Sequence, residues 1–197
     1  DLDNIRRLYD AGFRMMSLHH FFDNKLGGSL HGESNAGLTE FGREAVRLMD
    51  SMGIMIDVSH SSPQVVDDVL NLIDSPLIVS HTGFKGHCDR KRNISDDLIM
   101  RIAERGGLMG VGFWSEAVCG TDVTAIADGI AYGVETFGVE AVALGSDWDG
   151  AVTTPLAAND LAYLTSALLK RGLSENEIRA VMGCLLYTSD AADESLC

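Results

Sequence analysis

Two stretches of this 197-residue sequence close on the same three letters: "IMIDVSH" ends at His60 and "PLIVSH" at His81. Short apolar runs bounded by turn-forming residues read as buried strands, and neutral imidazole is a common zinc ligand. In parallel α/β folds functional groups gather just past the C-terminal ends of the strands, because every strand points the same way there. His60 and His81 hold that position on successive strands, about one βαβ repeat apart. Neighbouring strands lie about 4.8 Å apart, so two such side chains can reach one cation. A later strand end is acidic: "GSDWD" carries Asp147 and Asp149. One strand-end histidine alone would read as an ordinary polar residue; two in register, backed by a carboxylate, point to a metal site.

The elements that must position these residues alternate. An apolar run at 13–18 precedes "TEFGREAVRLMDSMG", with Thr39 as N-cap and Gly53 as stop. The run at 54–59 leads to "SSPQVVDDVLNLI", capped by Ser62 with Pro63 in the first turn. The run at 77–80 precedes "SDDLIMRIAERGG", with Ser95 as cap and Gly106 as stop. The run at 108–113 precedes "DVTAIADGIAYGVETFG", and that at 142–146 precedes "NDLAYLTSALLKRG"; Ser174 and Glu177 then form a capping box. Five β-then-α units with continuously apolar strands predict a parallel sheet covered on both faces. The architecture is either an open doubly wound sheet or part of a (β/α)₈ barrel. "GVGFW" has only the first two glycines of a dinucleotide fingerprint and lies inside a strand. Met15, Met16 and Met109 read as core; Asp57, His31 and His87 read as structural.

Composition sets outer limits. A hydrophobic share of 46% against 22% charged residues is an ordinary globular balance. The net charge of −14 argues against nucleic acid or an anionic membrane as partner, since both require a basic face. No apolar run reaches the roughly 18 residues of a membrane span. The four cysteines, Cys88, Cys119, Cys184 and Cys197, form no CxxC pair and suggest neither a disulfide framework nor a thiolate zinc site.

The stretches "GLTEFGREAVRLMDSMGIMIDVSHSS", "PLIVSHTG", "RKRNISDD" and "VALGSDWDG" together resemble the membrane (renal) dipeptidase family, zinc peptidases of the amidohydrolase superfamily built on a TIM-like barrel. The resemblance runs in order from Asp1 to about Gly183. It implies a zinc-dependent dipeptidase that hydrolyses small dipeptides with a metal-activated hydroxide. Carried over residue by residue, it makes His60 and His81 ligands of one of two zinc ions. It makes His20, in "SLHHFFDN", the group that contacts substrate and polarises the scissile carbonyl, with neighbouring His19 a weaker candidate. Arg92, in "RKRN", becomes the holder of the substrate's C-terminal carboxylate, while Arg90 and Lys91 read as solvated neighbours. Asp147 becomes the acid that handles the attacking water's proton, ahead of Asp149. The chemistry suits these types: zinc lowers the pKa of water and polarises a carbonyl, a carboxylate relays the proton, and an arginine fork recognises a carboxylate.

One departure from the family pattern matters. The family's His-x-Asp pair at the end of its first strand and its bridging glutamate, from an "EGG" segment, have no counterpart here; the H-x-D string at 87–89 does not hold that position. The five units correspond to strands four to eight, so the sequence reads as a C-terminal portion, a partial barrel over 1–183. From Cys184 onward, "CLLYTSDAADE" resembles the translation of a sequencing-library adapter, and 184–197 is expected to be read-through of that kind. The expected partners are a dipeptide and two Zn²⁺, with the remaining ligands upstream, no nucleic acid, no membrane span in this stretch, and room for a homodimer. A cytoplasmic location is the expectation, with a signal peptide left open by the missing start. Two other readings stand beside the dipeptidase: a non-catalytic barrel remnant or binding protein, and an amidohydrolase acting on a lactam or other amide.

Overall fold

The computed structural model describes residues 1–184; the expected adapter-derived tail therefore lies, apart from Cys184, outside the described residues. Five parallel strands, β1 (Met15–Ser17), β2 (Met55–Asp57), β3 (Leu77–Thr82), β4 (Leu108–Val111) and β5 (Val142–Leu144), follow one another in chain order across the sheet. Helix α1 (Asp3–Asp10) precedes them. Helix α2 (Glu40–Ser51) follows β1, α3 (Pro63–Leu72) follows β2, and α4 (Asp96–Ala103) follows β3. Between β4 and β5 come α5 (Ser115–Val118) and α6 (Val123–Phe137), and after β5 come α7 (Leu161–Lys170) and α8 (Glu175–Arg179). This is the α/β alternation of a partial TIM-like barrel, as expected.

The chain divides into two compact units, Asp1–Val79 and the part from Ser80 on, with β3 contributing residues to both. In the first, β1 pairs with β2 in the register Met15↔Met55 to Ser17↔Asp57, and β2 with β3 at Ile56↔Leu77 and Asp57↔Ile78. Helix α2 forms because Thr39 Oγ1 accepts the Gly42 N–H at 3.0 Å, leaving Gly42, Ala45, Val46 and Met49 on one buried face. Ser62 caps α3 in the same way through the Val65 N–H at 3.1 Å, and Pro63 needs no donor in that first turn. Val46, Val58, Val65 and Val69 are fully buried, each contributing about 1.5–3 kcal/mol relative to exposure.

In the second unit β4 pairs with β5 at Met109↔Val142, Gly110↔Ala143 and Val111↔Leu144. Its core gathers Ile99, Ile102, Met109, Ile126, Ile130, Leu164 and Leu168. The glycine of "GVGFW" has a structural reason. A Cβ on Gly110 would stand 2.9 Å from the Gly145 Cα and closer still to the Ser80 carbonyl, so the strands meet there only without side chains.

Several expectations need correction. The runs at 13–18, 54–59, 108–113 and 142–146 give shorter strands than their apolar letters suggest, whereas β3 continues to Thr82, which puts His81 inside the strand rather than past it. Helices α1 and α5 were not anticipated. Ser95 sits at the N-cap of α4 without a side-chain cap bond, while Asp122 caps α6 through the Ala125 N–H at 2.9 Å. Met15 is not core: β1 is the first strand of the sheet order, and Met15 is 42% exposed. Met109 is fully buried. Cys88 and Cys119 form a disulfide with Cα atoms 5.5 Å apart, against the expectation of none. By loop-closure entropy a cross-link over 31 residues contributes about 3–4 kcal/mol.

Candidate functional site

In the first unit the turn after β2 carries His60, which is 8% exposed. Its carbonyl accepts the Leu30 N–H at 2.8 Å, which anchors the 20–31 segment beside it. That segment brings the His20 ring edge-on to the His60 ring at 4.7 Å between centroids, with Phe21 at 5.7 Å and His31 at 5.6 Å. His20 and His60 are thus brought together. His31, read from sequence as structural, belongs to the same group of rings. His19 points elsewhere: it is 4% exposed and its Nδ1 shares a hydrogen bond with Ser61 Oγ at 3.0 Å. Burial holds its pKa below the usual histidine range, against opposing effects of the Gly27 backbone and the Asp23 charge. Asp57 is structural, as expected, accepting the Ser59 N–H at 3.0 Å and hydroxyl at 2.5 Å.

Asp23 shapes the loop that carries His31. Its carboxylate accepts the backbone N–H groups of Ser29 at 2.8 Å, Glu33 at 3.1 Å and Ser34 at 3.0 Å. These bonds, Ser29 first, hold its pKa below the usual aspartate value. A carboxyl whose folded pKa is depressed stabilises the folded loop above the unfolded-state value and loses that contribution as pH falls through the folded one. Hydrogen exchange at the Ser29, Glu33 and Ser34 amides should therefore be slow, relative to intrinsic rates, at pH 6 and lose protection in acid below the ordinary aspartate range. Asp23→Asn should remove that acid-dependent loss. Protection that is unchanged in acid would refute the role.

In the second unit His81 lies in β3, half-buried, with its Nδ1 2.9 Å from Ser80 Oγ and its ring 6.1 Å from that of Trp114. Arg92 comes back over this strand: Nη2 donates to the His81 carbonyl at 2.9 Å, and the guanidinium carbon stands 5.5 Å from the Trp114 ring centroid. At that distance the cation is attracted by the ring face. Arg92 is only 9% exposed, a degree of burial unusual for arginine, whereas Arg90 and Lys91 are exposed as expected. Asp147 follows β5, half-buried, with φ +59°, a left-handed conformation uncommon for a residue other than glycine. The Gly150 N–H closes a turn onto its carbonyl at 2.9 Å, and a Cβ on Gly150 would collide with its carboxylate. Asp149 is exposed. His87 packs on Tyr132 at 5.5 Å between ring centroids, a structural role as expected.

Sequence reasoning missed Trp114, Asn93 and the Cys88–Cys119 pair. Asn93 was within the quoted "RKRN", but its role depends on carbonyls of a distant segment, which no local pattern announces.

The profile of the membrane dipeptidase family, peptidase family M19, matches residues 1–185. An uncharacterized dipeptidase of Schizosaccharomyces pombe is 30% identical over 189 residues, covering 91% of this chain and 46% of that protein. The chain thus spans about half the length of this curated relative. An amidohydrolase from Pseudomonas aeruginosa superposes with a TM-score of 0.86 at 25% identity, covering 96% of this chain and 67% of the other. A metallo peptidase from Rhodobacter sphaeroides, solved with a phosphinate mimic of the dipeptide L-Ala-D-Ala, shares the fold at a TM-score of 0.83 and 24% identity, covering 95% and 57%. With its motifs, its α/β repeat and this coverage in agreement, the chain belongs to the membrane dipeptidase family, peptidase family M19.

Proposed function

We propose that this chain is part of a zinc-dependent dipeptidase, in which His60 and His81 ligate zinc, His20 polarises the scissile carbonyl, Arg92 holds the substrate's C-terminal carboxylate and Asp147 relays the proton. The single observation that carries the reading is the family match over 1–185. A metallo peptidase of like fold, solved with a dipeptide mimic, supports it.

The fit to zinc is in kind rather than in number. His60 and His81 supply imidazoles of the right chemistry, but among the described residues no group of three or more His, Cys, Asp or Glu could hold a metal ion. Catalytic zinc ordinarily takes three protein ligands, more than these two imidazoles supply. When bound, zinc would make water acidic enough to act near neutral pH. The rest of the chemistry belongs to this chain's own residues. Arg92, with its guanidinium carbon 5.5 Å from the Trp114 ring centroid, presents a planar cation suited to a carboxylate. The recognised carboxylate lies one residue beyond the bond to be cut, so the bond placed for cleavage is the one to the substrate's C-terminal residue. Asp147 can take a proton from the attacking water and return it to the leaving amine. The Cys88–Cys119 bond favours an oxidising compartment over the expected cytoplasm. No described helix is long and apolar enough to cross a membrane.

The test uses the full reading frame that encodes this chain. Its product, purified with zinc, should hydrolyse small dipeptides, lose activity to a chelator and regain it with zinc. The 197 residues expressed alone should hydrolyse none. If the full product cleaved lactams but no dipeptide, the amidohydrolase alternative would replace this reading; if it cleaved neither, the non-catalytic alternative would.

A further inference from the structure

The segment between β3 and α4 is fastened more firmly than an exposed connection requires. The Cys88–Cys119 bond ties it to the end of α5, where Cys119 takes a left-handed φ of +57°. Beside that bond Asn93 is 4% exposed, and its Nδ2 lies 2.8 Å from the Cys88 carbonyl, 3.0 Å from that of Glu116 and 3.1 Å from that of Ala117. An amide nitrogen carries two hydrogens, so one is shared among these oxygens. Three acceptors around one atom also decide which end of the amide is nitrogen. Gly83 leaves the necessary room: a Cβ there would stand 2.5 Å from Asn93 Oδ1. The backbone closes the same segment through Lys85 N to Ile94 O at 2.9 Å and Asn93 N to Arg90 O at 3.1 Å. The residue immediately before this staple is Arg92.

We propose that Asn93 is a positioning residue for Arg92: with the Cys88–Cys119 bond it fixes the backbone from which the guanidinium reaches the His81 carbonyl and Trp114, and so sets preference for substrates ending in a free carboxylate. The inference rests on the reading of Arg92 as carboxylate holder. Asn93 touches no substrate on this view. Its amide supplies the donor that the carbonyls of Cys88, Glu116 and Ala117 share, and without it the Cys88–Cys119 bond is left to join the segment to α5. A misplacement of about 1 Å in a binding group can cost up to about a hundredfold in rate, and a long side chain magnifies a shift at its root.

The experiment uses the zinc-loaded product of the full reading frame, small dipeptides, and a phosphinate dipeptide mimic with its C-terminal amide as paired inhibitors. Asn93→Ala should raise dipeptide KM and the inhibition constant of the free-acid mimic about tenfold, leave kcat within about twofold, and leave the amide's inhibition constant and the zinc content unchanged. Combined with Arg92→Lys it should be no worse than Arg92→Lys alone, since both act on one contact. The double variant Cys88→Ala with Cys119→Ala should show the same selective loss, and it decides the matter if Asn93→Ala does not fold. Equal weakening of acid and amide, or no change in either, in a folded variant overturns the proposal. Arg92→Lys separates the two levels. If it fails to distinguish acid from amide, the clamp reading falls and this inference with it. If it distinguishes them and Asn93→Ala does not, only the positioning role falls.

Discussion

His60→Ala and His81→Ala, each made in the full reading frame that encodes this chain, should lower zinc content and dipeptidase activity together. The physical basis is the directness of the bond. Residues that merely orient a metal ligand change affinity or activity by about 10–100-fold when removed, and loss of a ligand itself should exceed that range. The two positions should differ in their side effects. His60 is 8% exposed and packed against the rings of His20, Phe21 and His31. Its truncation therefore opens a gap among these rings and should lower the melting temperature as well. His81 is half-buried in β3, where Val79 and Thr82 near it are fully buried and carry the packing. Its truncation should leave stability closer to wild type. Metal analysis, thermal melts and dipeptide turnover on both variants check all three statements. Wild-type zinc content in both would sink the ligand assignment.

How far the sequence led depends on the range of the forces involved. The β-then-α alternation was legible because burial on both faces makes a strand continuously apolar, and because Thr39, Ser62 and Ser174 mark helix starts through bonds only three residues long. The position of His60 past such a run was legible for the same reason, whereas β3 runs on to Thr82 and takes in His81. Met15 was misjudged because apolar letters do not say which strand comes first in the sheet. The disulfide was missed because Cys88 and Cys119 are 31 residues apart and share no local motif. Asn93 went unnoticed because its partners are main-chain oxygens, which leave no trace in side-chain chemistry. The left-handed turn at Asp147 is likewise a backbone property, hinted at only by the Gly150 that its carboxylate requires.

The second large effect expected is on specificity. Arg92→Lys keeps the charge, so a purely electrostatic role would survive it. The structure asks more of this residue than charge. Its Nη2 is used on the His81 carbonyl while the plane of the group lies near Trp114. A guanidinium can do both and still offer a second edge to a carboxylate, because its five N–H donors lie in one rigid plane. An ammonium is a point donor, and in reaching the same carbonyl it gives up the two-toothed geometry. A hydrogen bond to a charged group contributes about 1.5–3 kcal/mol, so loss of one such bond to the substrate should raise dipeptide KM by about 10–100-fold. Binding of a C-terminally amidated dipeptide, which has no carboxylate to lose, should change much less. Trp114→Leu should act in the same direction but more weakly, since it removes the ring whose face attracts the guanidinium and leaves its donors in place. Steady-state KM and competitive inhibition constants for acid and amide pairs provide the comparison. Equal losses for the acid and the amide would mean that Arg92 supports the strand and does not read the substrate.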